Sequence, residues 1–244
     1  MKILYFFLIQ INSIPIWSQE YNFTGSPNYL RVGDSIHYDF VIPTISLNSN
    51  VSEHIWDFSN FKYLGQEKEV FFVGNDSNRI KMIDKDAILD FSQDKEHLLL
   101  KHLQTPLLNI DFGNSFEYLK FPFPLNDSLV CQIEGKGTYC SKNKLVLSGT
   151  CCTKAMAKGK LIMPYNDSLN NTLLIQRNIV ANIDVSKDSL MSVRQDEPMK
   201  FKAAIFEWYA MGYRYPILKI IEASIKKGER KALSNRNLGD SCYQ

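Results

Sequence analysis

The chain has 244 residues, of which 45% are hydrophobic and 22% charged. That length can bury a sizeable core in one large domain or two small ones, and the composition excludes a disordered chain, a coiled coil and a disulfide-dense miniprotein. Lys and Arg number 28 against 26 Asp and Glu, a formal charge of +2; with no run approaching about 20 apolar residues in the interior, neither a nucleic-acid footprint nor a multi-span membrane protein is expected.

The amino terminus carries a targeting pattern. Met1 and Lys2 make a short positive start, Ile3 to Ile9 is apolar, and the apolar character continues to Trp17 before Ser18-Gln19-Glu20 ends it. A positive start, an apolar run of this length and a small residue at its end predict a secretory signal peptide, cleaved after Ser18. Gln10, Asn12 and Pro15 interrupt the run, which is short for a bilayer span. No cysteine precedes Cys131, so the new terminus is not lipid-modified. The expected organisation is a signal peptide over 1–18, a single β-rich domain over 19–225 and a basic, flexible tail over 226–244. The tail holds five Lys or Arg against Glu229 and Asp240. The mature protein is expected in the periplasm, at the outer surface or in the medium, with no transmembrane span after cleavage.

The body reads as strands joined by turns. Asp-Ser followed by an aliphatic residue recurs at Asp34-Ser35-Ile36, Asp127-Ser128-Leu129, Asp167-Ser168-Leu169 and Asp188-Ser189-Leu190, with a partial copy at Asn75-Asp76-Ser77. Asp and Ser side chains bond nearby backbone groups, so these are turn signals, and the aliphatic residue restarts an extended run. Their irregular spacing marks turns and not a solenoid repeat. Ile36 to Phe40 and Glu69 to Val73 alternate briefly. Longer alternation follows over 129–139, 145–157 and 173–185, with apolar residues at odd positions and polar ones at even positions. Period two with one polar face predicts half-buried antiparallel strands. Ser141-Lys142-Asn143 is read as the hairpin turn between the first two runs. Only 85–103 and the stretch from Ser224 are read as able to carry a helical turn. The fold class is therefore mainly β, an antiparallel β-sandwich or strongly curled sheet with little helix.

Five cysteines are an odd number, so at least one thiol is free or paired between chains. Hairpin parity constrains the cluster at 131–152. With opposed residue numbers summing to 284, Cys131 and Cys151 stand diagonally on the core face, Cys152 points outward and Cys140 sits at the turn. They read as small buried thiols behaving as apolar residues; a Cys131–Cys151 bridge would need a register shift. The histidines, His37, His54, His97 and His102, all lie upstream of the cysteine cluster, so neither a zinc site nor any other cofactor is expected, and His97 and His102 read as surface residues.

Four stretches carry a resemblance. They are Val32-Gly33-Asp34-Ser35 with Ile42-Pro43-Thr44, Trp56-Asp57-Phe58-Ser59-Asn60, Gly135 to Cys140 with Gly159 to Pro164, and Glu207 to Pro216. In order and spacing they resemble exported, β-rich proteins of the Bacteroidota, whose longer members carry a carboxy-terminal sorting domain for type IX secretion. The resemblance covers residues 30–220 and implies a compartment and a lineage, with no activity attached. This chain departs from the pattern near Met156, where an acidic residue is expected, and at Leu174-Ile175-Gln176, where a basic or His-containing strand end is expected. The stretch after Ile225 is too short for a sorting domain, so surface display by that route is not expected.

The candidate ligand contacts are Glu207, Trp208, Tyr209, Tyr213, Arg214 and Tyr215. Aromatic faces stack on sugar rings, and Arg or Glu can bond hydroxyls or carboxylates. The competing reading makes this segment a core strand with a turn at Met211-Gly212, its aromatics filling the core and Arg214 paired with a carboxylate. Trp56 reads as core, with Asp57 turning the chain. Asp39, Glu117, Glu134 and Glu207 are the carboxylates from which a glycosidase pair would be drawn. No nucleophile elbow, zincin motif, P-loop or dinucleotide fingerprint is present. The expected function is an exported non-enzymatic β-domain that binds a polysaccharide or an envelope protein. The alternative is a secreted glycan hydrolase using a carboxylate pair. Nothing in the sequence fixes the oligomeric state.

Overall fold

The computed structural model describes residues 23–42, 55–164, 168–186 and 198–226. The expected signal peptide and most of the basic tail lie outside them. After a single helical turn, α1 (Gly25–Asn28), come β1 (Ser35–Ile42), β2 (Ile55–Asp57), β3 (Lys62–Asp76), β4 (Arg79–Ile83), β5 (Ile88–Gln93) and β6 (His97–Gln104). These are followed by β7 (Leu108–Lys120), β8 (Ser128–Tyr139), β9 (Asn143–Ile162), β10 (Ser168–Ser186), β11 (Met199–Tyr209) and β12 (Leu218–Lys226). The fold is mainly β, as the alternation predicts: one antiparallel sheet in the order β1-β3-β4-β5-β6-β7-β8-β9-β10-β11-β12. β2 stands off this path. It pairs in parallel with the end of β9, Trp56 opposite Leu161, beyond the stretch that β8 occupies.

Nearest-neighbour order follows from the turns. Asp76, Asp84 and Asp94 each open a hairpin, and each Oδ1 accepts two backbone N–H groups two and three residues on, at 2.7–2.8 Å. Thr105 does the same with its hydroxyl. The side chain stands in for a ladder partner and reverses the chain within a few residues. Short reversals leave only the adjacent strand in reach, and a meander results. The Asp-Ser signal starts β1 at Ser35 and β8 at Ser128 as read. Residues 85–103, where the sequence allows a helical turn, are instead most of β5 and β6, because their Asp-led turns leave no room for helix. Ser224 likewise lies within β12.

The β8–β9 hairpin corrects one register. Its turn is centred on Cys140 and Ser141, both left-handed at φ 51° and 59°, with the Lys142 N–H donating to the Tyr139 carbonyl. The reversal comes earlier than Ser141-Lys142-Asn143, so opposed numbers sum to 282 and Cys131 lies directly opposite Cys151. Gly137 and Gly149 are close-approach positions. A Cβ on Gly137 would collide with the Asn109 backbone, and one on Gly149 with the Val180 and Ala181 backbone.

The two faces of the sheet bury different cores. One face, with Phe91, Leu100, Ile110, Phe116, Ile133, Leu145, Cys151, Leu173, Ile175 and Tyr209, forms the larger cluster, into which Phe23 inserts. The other face is covered at the β9–β12 end, where Trp56 and Phe58 lie over Leu161, Leu174, Phe206, Trp208, Leu218 and Ile220. A register shift between Leu174 and Ile175 marks this end, and Leu173-Leu174-Ile175 is buried on both faces, as a strand covered on both sides must be. The sheet curls until its ends meet without a ladder between β1 and β12. The Tyr38 hydroxyl on β1 donates to the Pro216 carbonyl at 3.4 Å, and the Tyr215 ring stacks on Phe72 of β3 with centroids 4.5 Å apart.

Candidate functional site

The stretch from Glu207 to Tyr215 divides between the end of β11 and the loop before β12. On β11, alternation sends Glu207 and Tyr209 to the larger core and Trp208 to the smaller one. All three are buried, at 2%, 5% and 0% exposure, so none presents a surface to a ligand. Gly212, at φ +87°, makes the reversal, a conformation glycine adopts without steric cost. Tyr213 is exposed, while Arg214 and Tyr215 are partly covered.

Glu207 anchors a buried ionic cluster that the sequence alone does not announce. Its carboxylate accepts from Arg177 Nη1 on β10 at 3.1 Å and from Lys219 on β12 at 3.2 Å. Arg177 is wholly buried. Its Nη2 donates to the Tyr118 carbonyl at 3.2 Å, and its guanidinium carbon lies 3.6 Å from the centroid of the Tyr118 ring. Planarity lets one Arg bond a carboxylate with one nitrogen and a carbonyl with another while its face stacks on a ring. Burial pushes the Glu207 pKa up, but the charges of Lys219 and Arg177 outweigh it and hold the carboxyl below its ordinary range. Burial likewise disfavours the Lys219 ammonium, and the oxygens of Tyr118 and Glu207 outweigh that. Cys151 on β9 is a diagonal neighbour of Arg177 on the same sheet face, two residues before Thr153, which stands opposite Arg177. A hydrogen bond from Cys131 lowers its thiol most, Arg177 lowers it further, and burial opposes them; the result is about 7. Arg177 was legible in one respect: it occupies an odd position of the 173–185 run, where every other residue from Leu173 to Val185 is aliphatic. A cation in an apolar row calls for a buried partner.

The loop residues close the seam of the curled sheet. Arg214 Nη1 donates to the Tyr29 carbonyl at 2.8 Å and to the Ser26 carbonyl at 3.4 Å, and its Nε lies 3.7 Å from Asp34. The Tyr215 hydroxyl donates to Asp34 at 2.9 Å. Asn28 returns bonds to the carbonyls of Tyr213 and Arg214. Arg214 is therefore a clasp between the β11–β12 loop and the segment around α1, as the structural reading of this motif anticipates. Arg214→Ala is expected to cost about 1–3 kcal/mol in urea unfolding, the usual loss when partly buried acceptors lose a charged donor. An unchanged unfolding midpoint would remove the clasp role.

The remaining carboxylates sit in unlike settings. Asp39 on β1 and Glu134 on β8 are exposed, and Glu117 is bound to His97 Nδ1 at 2.7 Å. Trp56 is core, and Asp57 turns the chain by accepting the Ser59 N–H, as expected. Among the described residues, no three His, Cys, Asp or Glu side chains are grouped to hold a metal, and no helix is long and apolar enough to cross a membrane.

A second feature, missed from the sequence, is an open depression of about 900 Å³ across β3–β6, bounded by Val73, Asp76, Arg79, Lys81, Asp90 and Lys101. Register pairs Lys81 with both Val73 and Asp90 and pairs Arg79 with Ser92, so these side chains share one sheet face. Lys101 is the extra residue where the β5–β6 register shifts between Asp90 and Phe91. Such bulges bend a strand and re-aim its side chain. Lys81 Nζ approaches Asp90 Oδ2 at 3.5 Å, while Asp90 Oδ1 is buried with no hydrogen-bond partner among the described residues.

Comparison of the chain with protein-family models, with curated proteins and with solved structures finds no match.

Proposed function

We propose that the protein is an exported, non-enzymatic β-domain that binds a polysaccharide along the open face of β3–β6. The observation that carries this reading is the depression itself. It alternates cations and carboxylates on a solvent-exposed face, the arrangement that sugar hydroxyls can both donate to and accept from. Asp90 beside Lys81 offers a carboxylate next to an ammonium, Lys101 is turned by a bulge, and Val73 supplies apolar surface for a ring's C–H face. Arg79, Lys81 and Lys101 outnumber Asp76 and Asp90, which favours chains bearing carboxylate groups. Export rests on the Met1–Ser18 pattern. A hydrolase built on Glu207 has less support: a general acid needs a raised pKa, and Glu207 is held ionised between two cations.

The test pairs a glycan array with a hydrolysis assay on the same full-length mature protein. Retention of a uronate-containing polysaccharide without new reducing ends is expected. Lys81→Ala and Asp90→Ala should each weaken binding by about tenfold or more, as loss of a charge-assisted hydrogen bond does. Absence of retention overturns the binding reading, and new reducing ends favour the hydrolase. Export is read separately, by mass spectrometry of the amino terminus. A mature chain beginning near Gln19 supports it, and an intact Met1 confined to cytoplasm overturns it.

A further inference from the structure

We infer that Cys131 and Cys151 are a disulfide-forming pair that bridges β8 and β9 across the core face of the sheet. The register places them directly opposite each other. Opposed residues of an antiparallel pair have Cα atoms about 4.5–5.5 Å apart, inside the range of about 4.4–6.8 Å that a disulfide spans. A diagonal placement would fall outside it. Both side chains point into the larger core, where the Cys131 thiol donates to the Glu117 carbonyl at 3.5 Å and the Cys151 sulfur lies 3.7 Å from Thr153 Oγ1. Parity excludes the other described cysteines. Cys152 lies opposite Val130 on the other face, and Cys140 sits in the turn at φ 51°. The sulfurs differ in character. Cys131 is the more exposed, while Cys151 is buried beside Arg177, which favours its thiolate.

The chemistry is exchange with a disulfide-bearing oxidant, such as oxidised glutathione or the disulfide of a thiol oxidase. The Cys131 thiol gives up its proton as its sulfur attacks one sulfur of the oxidant, and the other sulfur leaves as a thiolate that takes up that proton. A mixed disulfide on Cys131 results. The Cys151 thiolate then attacks Cys131 Sγ, forms the cross-strand bond and expels the second carrier thiolate, which takes up the Cys151 proton. Two protein thiols lose two electrons, and the oxidant's disulfide becomes two thiols. Attack by Cys151 on the neighbouring mixed disulfide is favoured because the Arg177 charge beside it stabilises its thiolate.

The test uses the unsubstituted full chain, refolded from urea in a glutathione redox buffer so that a buried thiol meets the oxidant. Remaining thiols are alkylated, and the protein is digested and mapped by mass spectrometry. The expected result is the Cys131 peptide joined to the Cys151 peptide, with Cys152 alkylated and the link lost on adding dithiothreitol. A Cys131→Ser chain treated alike should show no linked Cys151 peptide. Recovery of Cys131 and Cys151 both alkylated, or either one joined to Cys140, Cys152 or Cys242, overturns the pairing.

Discussion

Glu207→Ala is expected to destabilise the fold by about 3–5 kcal/mol, the cost of removing one partner from a buried ion pair and leaving the other charge uncompensated. Here the substitution leaves two cations, Arg177 with no exposed surface and Lys219 directly opposite in the β11–β12 register. Against a typical total of about 5–15 kcal/mol, a loss of that size unfolds a large fraction of the protein in mild denaturant. Equilibrium urea unfolding measures it. The same carboxylate gives a pH signature. Its folded-state pKa lies below the ordinary 4.5, so its stabilisation is complete above that ordinary value and is lost as pH falls through the lower folded one. Glu207→Gln should flatten this acid limb of the stability profile. A variant as stable as the parent, with an unchanged acid limb, would show that the cluster contributes nothing.

Trp208→Ala carries the second large effect, about 3–5 kcal/mol for truncation of a buried aromatic. For a domain of this size, that lowers the melting temperature by on the order of 10 °C. The indole is fully buried and meets Phe58 at 5.4 Å and Trp56 at 6.2 Å, both edge to face. These rings hold β2, whose ladder with β9 spans only three residue pairs. The loss should therefore be felt first at β2. The Phe58 N–H, bonded to the Ile162 carbonyl at 2.8 Å, should lose its protection from hydrogen exchange ahead of the β8–β9 hairpin. Trp208→Phe should cost less than truncation. It keeps most of the ring volume and removes an indole N–H that is buried with no hydrogen-bond partner among the described residues. Equal exchange at Phe58 in parent and variant would show that β2 is held by other contacts.

What the sequence determined by itself was local. Alternation over 129–139, 145–157 and 173–185 is a property of neighbours two apart, and it suffices for strands, for which face is wet and for the mainly β class. Asp-Ser turns at 33–35 and 126–128 were legible because turn residues act within three positions of themselves, through Gly33 at positive φ and the Asp34 N–H on the Arg31 carbonyl in the first and Asp127 Oδ1 on the Ser128 N–H in the second. Where a signal was local but weak, at 85–103, the Asp-led turns decided for strands. The tertiary structure decided everything that joins distant segments. A turn centred on Cys140-Ser141, at positive φ without glycine, changed the hairpin register and turned a diagonal pair of cysteines into an opposed one. Glu207 read as a ligand contact because its partners lie 30 residues back on β10 and, across a turn, on β12; only the ladders bring Arg177 and Lys219 to it. Arg214 meets Tyr29 and Asp34 because a curled sheet carries its last loop round to its first strand. The depression on β3–β6 arises from register and a bulge at Lys101. Composition and periodicity report which face a residue takes, but register and curl determine which residues it meets there.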